Sequence, residues 1–461
     1  MRAWAVAAGC VAAAAASLAL PSEPTYDPWA WLVWGRELGR LALDTAAGPS
    51  WKPLPVIVTA LLAPLAGIDD GLPPALWILL VRASGLLAIA LAARVAADLV
   101  GGSTTTRATA GVLAAAALAL SPDWVRYMAH GNEVPIALAL MLGAVDRHRA
   151  GRPRTAFALG VLVVLLRPEA APLVALYGLW CVRTDHGART LVGAAAVAVP
   201  ALWIVPEWLG SGDPLGALHQ AASAPSWTIA AESDPLRAAV ELAHELAGLP
   251  LELGALAALA LWLRRRAHPA AVMALVALGA LALVVLSTEA GFSGSERYFS
   301  LPLALMCVVA GAAGAELIRR AGPGAGSAVA AGVLAASLTP FAADRLGAAG
   351  HDWREAEQVS ALHNQFERAA RGLGDPQALD HPPPAANRGF HTHAAWTLHS
   401  TLADVERGGR ADYVLAGHGE LAGALGRRAF RNARRMGPVR REGNWVVLAR
   451  PAENGRTSGA G

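Results

Sequence analysis

The chain has 461 residues, of which 55% are hydrophobic and 16% are charged, and its mean hydropathy is +0.40. This composition is too apolar for an ordinary soluble protein and is typical of a polytopic membrane protein. The net charge of +3 carries little information, because the placement of charges orients a membrane protein and their sum does not. Three cysteines (Cys10, Cys181 and Cys307) lie in apolar runs, which excludes a disulfide framework and a cysteine metal cluster.

The N-terminal run "MRAWAVAAGCVAAAAASLAL" is typical of a signal peptide or of a first spanning helix. We favour an uncleaved helix, since further apolar runs follow. Eleven runs have the length and apolarity of membrane spans. They lie near residues 4–20, 72–97, 107–121, 131–147, 154–167, 170–182, 188–208, 250–263, 269–287, 299–318 and 326–343. An additional run at 54–67 is short and contains Pro55 and Pro64, so it is either a span or an interfacial helix.

Arginine clusters orient these spans. If the run 54–67 lies at the interface and Arg2 is inside, every arginine cluster falls on the cytoplasmic side, as the positive-inside rule expects. If 54–67 were a span, the clusters would lie outside. The clusters are Arg94 with Arg107, Arg147 with Arg149, Arg152 and Arg154, Arg183 with Arg189, Arg264 to Arg266, and Arg319 with Arg320. The sequence therefore predicts an all-α polytopic bundle of about eleven transmembrane helices, with the N-terminus inside and the C-terminus outside.

The predicted chain has two domains and a tail. Residues 1–343 form a transmembrane domain with an outer loop at 21–71. Residues 344–450 predict a small α/β domain outside the membrane, because the helical pattern "WREAEQVSALHNQFERAARGL" is followed by the strand-like segments "ADYVLAG" and "NWVVLAR". Residues 451–461 are expected to be disordered.

The outer loop begins with "YDPWAWLVWGREL". Asp27 followed by Pro28 predicts a helix start with Asp27 as the N-cap. An apolar stripe through Trp31 and Trp34 then suggests a helix on the bilayer surface, with Arg36, Glu37 and Arg40 facing water. Asp27 is either a simple helix cap or a general base at the membrane surface, and the sequence alone leaves both open.

Further along the outer face, charges occur singly. Lys52 is the only lysine of the chain. Glu133 lies at the outer start of a predicted span, where an ionisable residue is a functional candidate. The alternative is a carboxylate that only stabilises the helix start through the helix dipole. Arg167 lies in a tight turn with Glu169, for which an ion pair is the simpler interpretation. Isolated outer cations such as Arg82, Arg167 and Arg297 either reach toward lipid headgroups or bind an anion.

These residues suit a phosphate-bearing lipid substrate, since cations hold a phosphate and a carboxylate activates a hydroxyl. The chain has no GxxxxGK[ST] loop, so nucleotide use is unsupported.

In order, these motifs resemble the GT-C membrane glycosyltransferases, in particular glycosyltransferase family 39, which includes protein O-mannosyltransferases and lipid A aminoarabinose transferases. The similar elements are a Tyr-Asp pair (Tyr26 and Asp27), the stretch "WKPLPV" with Lys52, "LVRASGLLA" around Arg82, Glu133 before a span, and Tyr298 to Pro302 at the start of a late span. C-terminal soluble domains also occur among such enzymes.

The resemblance implies an inverting transferase that moves a hexosyl or pentosyl group, such as mannose, from a polyprenyl-phosphate donor to an envelope glycan, lipid or protein outside the cell membrane. It makes Asp27 the catalytic base and Glu133 a second acid that positions acceptor or sugar. Lys52 would hold the donor phosphate, with Arg297, Tyr298, Arg82 and Arg167 as further donor-binding residues.

Two alternatives to an enzyme stay open at this point: a transporter or flippase of lipid-linked sugars, and a membrane scaffold. Neither a cofactor nor a metal ligand is assigned, because Trp51 precedes Lys52 where part of the family supplies a metal-binding side chain. A divalent metal at His381, His391, His393 and His399 is an alternative, but a solvated loop rich in histidine is the simpler interpretation.

Overall fold

The computed structural model describes residues 3–223, 228–263, 268–371, 385–386, 389–407, 413–417 and 437–449. Most of these residues are helical. In chain order the helices are α1 (Ala3–Ala16), α2 (Tyr26–Gly39), α3 (Pro53–Leu62), α4 (Leu72–Val100), α5 (Thr104–Ala119), α6 (Trp124–Ala129), α7 (Val134–Arg149), α8 (Pro153–Val164), α9 (Ala171–Thr184), α10 (Arg189–Ser211), α11 (Gly216–Ala222), α12 (Pro235–Trp262), α13 (Pro269–Glu289), α14 (Glu296–Arg320), α15 (Ala325–Arg371), α16 (His391–Thr397) and α17 (Leu402–Arg407). The strands are β1 (Ala385–Ala386), β2 (Tyr413–Gly417), β3 (Gly437–Glu442) and β4 (Trp445–Ala449).

All the predicted spans fall on helices, and the chain is a multi-pass membrane protein. Within the described ranges, six helices are long and apolar enough to cross a membrane: α4, α10 with its preceding turn, α12, α13, α14 and α15. Shorter apolar helices include Trp4–Ala19, Pro53–Gly67 and Pro153–Val164. The number of eleven spans and the interfacial position of 54–67 therefore stay predictions.

Helix α14 lies at the centre of the bundle, with α4, α5, α7, α12 and α13 packed around it. Its small residues permit close contact: a Cβ atom added at Gly311 would lie 2.6 Å from the backbone nitrogen of Ala114 on α5. Close approach of backbones through small residues is how helices pack in a bilayer, where burial of apolar surface supplies little association energy.

The predicted cytoplasmic arginines of α4, α5 and α7 meet at one end of the bundle. Arg94 pairs with Asp146 at 2.7 Å, Arg107 pairs with Asp98, and Arg149 donates to the Asp98 carbonyl at 2.8 Å. These contacts agree with the grouping on which the orientation was based. The side of the membrane on which this end lies stays a prediction, and the triplet Arg264 to Arg266 falls outside the described residues.

Helix α2 differs from its predicted position at the water interface. All residues from Pro28 to Glu37 are buried, and only Arg40 of the three expected water-facing charges is exposed. Arg36 donates to the carbonyls of Ala395 and Ser400 at 3.0 and 2.7 Å, near the end of α16. The prediction that Arg36 and Glu37 face water was wrong, because the C-terminal segment covers the polar face of α2.

The C-terminal part is the predicted small α/β unit. Its four strands are ordered β1-β2-β4-β3; β1 pairs with β2 in parallel and the other pairs are antiparallel. Leu415 of β2 is opposite Val447 of β4, and both pack with Phe366 of α15 and Trp445. The strand-like segments were therefore predicted correctly. Helix α15 continues through the expected domain boundary at residue 344, and the predicted disordered tail lies outside the described residues.

Candidate active site

Two backbone hydrogen bonds place the start of α2 beside the loop before α7. The amide of Glu23 donates to the Ala129 carbonyl at 3.0 Å, and that of Thr25 to the His130 carbonyl at 3.2 Å. Helix α2 begins at Tyr26, so Asp27 lies in its first turn and is not the N-cap that the sequence predicted. A carboxylate in the first turn still interacts favourably with the helix dipole.

Lys52 is held at the start of α3 by its neighbours in sequence. Trp51 donates from Nε1 to the Leu202 carbonyl at 3.1 Å, and Leu54 donates from its amide to the Leu165 carbonyl at 3.3 Å. The Lys52 ammonium pairs with Glu133 and lies 5.4 Å from the ring centroid of Trp31, which suits a cation–π contact. Its side chain is 12% exposed, so it lies at the rim of the protein interior.

Glu133 follows a tight turn and is fully buried. Gly131 has φ +69°, and an added Cβ would lie 3.0 Å from the Trp77 ring, so this position favours glycine on two counts. Oδ1 of Asn132 accepts a hydrogen bond from the Val134 amide at 3.0 Å, which fixes the turn that leads into α7. A carboxylate without solvent needs compensating charge, and Lys52 together with Arg167, at 3.3 Å, supplies it.

Arg167, Tyr298 and Arg297 connect Glu133 to Asp27. The guanidinium carbons of Arg167 and Arg297 lie 5.4 and 5.8 Å from the ring centroid of Tyr298. Arg297 donates from Nη1 to Oδ2 of Asp27 at 2.6 Å. Arg167 also lies 3.7 Å from Glu169, which confirms the predicted ion pair but makes it one contact of a larger group.

The structure thus joins six of the seven predicted site residues in one connected set, which we term the outer charge cluster: Asp27, Lys52, Glu133, Arg167, Arg297 and Tyr298. With the adjoining Glu169 it contains three cations and three carboxylates, so its formal charge is zero. Both Nη atoms of Arg167 and Oε2 of Glu133 are buried without a hydrogen bond of good geometry to any described residue. The two Nη atoms can donate to oxygen atoms of a ligand, and Oε2 of Glu133 can accept a hydrogen bond from a ligand hydroxyl.

Arg82 is not part of the outer charge cluster. Its guanidinium donates to the backbone carbonyls of Ser17, of Pro21 at 3.1 Å and of Met128 at 3.4 Å. In the described structure it therefore holds the segment between α1 and α2, and its role in donor binding stays a prediction.

The histidines of the C-terminal segment were expected in a solvated loop, and for two of them this was wrong. His391 is 7% exposed and His393 is fully buried, with the His393 ring stacked on Trp29 of α2 at 4.5 Å between centroids. His399 is partly exposed and lies 3.2 Å from Asp70, whereas His381 lies outside the described residues. The sequence carries no signal for this docking, because a histidine-rich polar segment looks the same whether it is solvated or covered.

Neither a protein-family model nor a curated protein sequence matches the chain. Solved structures that match the chain over nearly its whole length include ArnT from Cupriavidus metallidurans bound to undecaprenyl phosphate, with a TM-score of 0.51 and 15% identity. They also include the same protein in the apo state, with a TM-score of 0.55 and 14% identity. In both cases the alignment covers 97% of each chain. The chain has the GT-C fold.

The GT-C fold accounts for the overall plan, since the alignment spans both the helical bundle and the C-terminal unit. At 14–15% identity the likeness concerns the fold, so the chemistry has to come from the outer charge cluster itself.

Proposed function

We propose that this chain is an integral-membrane inverting glycosyltransferase that moves a sugar from a polyprenyl-phosphate donor to an envelope acceptor at the outer face of the cell membrane. The observation that carries the proposal is the outer charge cluster, whose residues lie at the starts and ends of apolar helices. The partly exposed carboxylate of Asp27 is paired with Arg297, and Tyr298 links that pair to Arg167, which with Lys52 contacts Glu133. The outer loops and the C-terminal unit would then be extracytoplasmic.

The three cations suit the donor phosphate. Lys52, Arg167 and Arg297 are contributed by the approach to α3, the turn after α8 and the start of α14, so a phosphate among them would be held from three directions. Charge-assisted hydrogen bonds of this kind are roughly twice as strong as neutral ones. The solved ArnT structure contains undecaprenyl phosphate, which supports the same class of lipid here.

Asp27 suits the role of general base. Its side chain is 16% exposed, compared with 0% for Glu133, so an acceptor hydroxyl can reach Asp27 while Glu133 stays enclosed. Asp27 would remove the hydroxyl proton as the acceptor oxygen forms its bond to the anomeric carbon. Arg297 orients the carboxylate through Nη1 and Oδ2.

The bond between the anomeric carbon and the phosphate oxygen breaks in the same step, and the electron pair leaves with the phosphate. The departing polyprenyl phosphate gains negative charge, which Lys52 and Arg167 would neutralise; this kind of help is often the largest catalytic contribution. Attack from the side opposite the leaving group inverts the anomeric configuration.

A transporter or flippase of lipid-linked sugars is the competing function. Secondary transporters place their binding sites near the bilayer midplane, at interrupted helices. Here Asp27 lies in the first turn of α2, Glu133 directly before α7, and Arg297 in the first turn of α14. Charges at helix starts favour chemistry at a membrane surface over passage through it.

The test uses the purified full chain in liposomes with radiolabelled polyprenyl-phosphate mannose or arabinose and an envelope extract as acceptor. We expect label on the acceptor with the wild type, none with Asp27→Asn, and wild-type transfer with Asp69→Asn, an exposed acid of the same loop. Label that crosses the bilayer while still attached to its lipid phosphate would identify a transporter and contradict the proposal.

A further inference from the structure

A second group of titratable residues lies where the C-terminal unit contacts the outer loop. Glu23 precedes α2, His363 lies on α15 and His393 on α16. Each offers one ligand atom, and these three atoms lie within 4.8 Å of one another. Three segments distant in sequence thus bring two imidazoles and one carboxylate together, outside the outer charge cluster.

The two imidazoles are buried and incompletely paired. His363 is 5% exposed and His393 is fully buried, and neither Nδ1 has a hydrogen bond of good geometry in the described part of the chain. Nδ1 of His363 lies 3.2 Å from Oε1 of Glu23, close enough to share a ligand with it. A buried polar atom left without a partner costs about 1–3 kcal/mol, so two adjacent ones indicate a missing partner.

Glu367 orients His393. Its Oε1 lies 3.3 Å from Nε2 of His393, and its Oε2 accepts a hydrogen bond from Arg371 at 2.9 Å. A hydrogen bond from Nε2 of His393 to this carboxylate places the ring proton on Nε2. Nδ1 of His393 then carries the lone pair and is directed away from Glu367. A carboxylate on the far nitrogen of an imidazole is the usual support of a metal-binding histidine.

The two imidazoles lie face to face. The rings of His363 and His393 are stacked, with centroids 4.6 Å apart and an angle of 18° between planes. An imidazole binds a metal through a lone pair in the plane of its ring, so the two rings have to turn relative to each other to bind one ion together.

We propose that Glu23, His363 and His393 form a divalent-metal site that binds Zn²⁺, with water as the fourth ligand. Two imidazoles and one carboxylate are a recognised zinc ligand set, with bonds of about 2.0–2.2 Å. Two such ligands on a tetrahedral ion are about 3.4 Å apart, and the Glu23 and His363 atoms are already at 3.2 Å. Small side-chain rotations bring the third ligand into range.

The bound ion would link the C-terminal unit to the outer loop. Glu23 lies four residues before Asp27, and its amide is tied to the Ala129 carbonyl. A metal that joins Glu23 to α15 and α16 therefore fixes the segment that leads into α2. This role is positional and does not depend on which reaction the outer charge cluster performs.

The direct test is zinc binding by the purified full chain in detergent, after chelator treatment and removal of the chelator. We expect one Zn²⁺ per chain by elemental analysis and calorimetry, with the Kd raised at least 100-fold by Glu23→Gln or His393→Ala and about 10-fold by Glu367→Gln. Co²⁺ bound in place of Zn²⁺ should give the visible absorption of a four-coordinate site, and Glu23→Gln should abolish it.

Two variants serve as controls. His399→Ala removes a histidine of the same C-terminal unit. His351→Ala disrupts the group of His351, Asp352 and Glu355, which has comparable spacing and in which only His351 is exposed. Both should bind Zn²⁺ like the wild type. Because Glu23→Gln keeps the shape of a partly exposed side chain, its thermal unfolding without metal should match that of the wild type. Zinc binding that survives Glu23→Gln with His393→Ala, or that is lost in His351→Ala, would overturn the proposal.

Discussion

Arg297 donates a 2.6 Å hydrogen bond from Nη1 to Oδ2 of Asp27, which lies 270 residues earlier in the chain. The contact joins the first turn of the central helix α14 to the first turn of α2. The carboxylate of Asp27 is therefore oriented by a residue of the central helix.

Replacement of Asp27 by asparagine should remove the proposed base while keeping the side-chain shape. We expect the transfer rate to fall by about 10²–10⁴-fold, the usual contribution of a general base. Donor binding and the temperature of unfolding should change little, since the amide oxygen can still accept from Arg297. Transfer assays and thermal unfolding in detergent measure the two effects, with Asp69→Asn as the control. Full activity of Asp27→Asn would remove this residue from the mechanism.

The proposed role of Lys52 in donor binding can be separated from its observed pairing with Glu133. Lys52→Ala should weaken donor binding at least tenfold and also lower stability, because it removes a partner from a fully buried carboxylate. Combining Lys52→Ala with Glu133→Gln should restore stability but not donor binding. Lys52→Arg should recover part of the affinity. Donor affinity restored together with stability in the double variant would show that Lys52 acts only on folding.

Glu37 predicts a specific pH dependence of stability. Burial raises the pKa of Glu37 from 4.5 to about 7. Between these two pH values the folded chain keeps a proton on this carboxyl group that the unfolded chain releases. Its stabilising contribution is full below pH 4.5 and is lost as the pH rises through 7. At pH 8 Glu37→Gln should therefore be more stable than the wild type, by at most about 3 kcal/mol in the free energy of unfolding, and should unfold at a higher temperature. Both differences should shrink toward pH 5. The exposed Glu241→Gln should show no such trend, and a constant difference for Glu37→Gln would contradict the assignment.

Arg36 should make one of the main contacts that hold α16 against α2. It donates to three backbone carbonyls, those of Ala395, Trp396 and Ser400. Arg36→Ala leaves these acceptors without a charged donor, and we expect a loss of about 2–4 kcal/mol together with faster proteolysis after residue 371. Arg40→Ala, an exposed arginine one turn further on, should behave like the wild type in limited proteolysis. Equal cleavage of the two variants would mean that other contacts hold the C-terminal unit.

Much of the fold was predictable because a bilayer imposes strong patterns. Apolar runs of span length became helices, and the strand-like segments "ADYVLAG" and "NWVVLAR" became β2 and β4. The five charged residues of the outer charge cluster could be singled out because charges at the ends of apolar helices are rare and costly, whereas Tyr298 was named from the resemblance. Their roles stay predictions. Arg82 was also predicted to be a donor-binding cation, yet its guanidinium donates hydrogen bonds to backbone carbonyls. An isolated cation in the sequence therefore does not reveal its partner.

The surroundings of α2 were not predictable. An amphipathic helix between a bundle and water has the same sequence pattern as one between a bundle and a docked domain. The partners of Arg36 lie about 360 residues away in the chain, and no local pattern encodes so distant a contact. The same reason explains the missed burial of His393 and the missed group that it forms with Glu23 and His363.

Gly35 and the buried residues around it have a consequence for how this chain tolerates change. On one side a Cβ at Gly35 would lie 2.6 Å from the Thr59 carbonyl carbon of α3, and on the other Arg36 is enclosed by α16. A saturation mutagenesis screen should therefore find the ten positions from Pro28 to Glu37 as intolerant as the interior of α14. A segment predicted to lie on the bilayer surface would then show the substitution profile of a protein core.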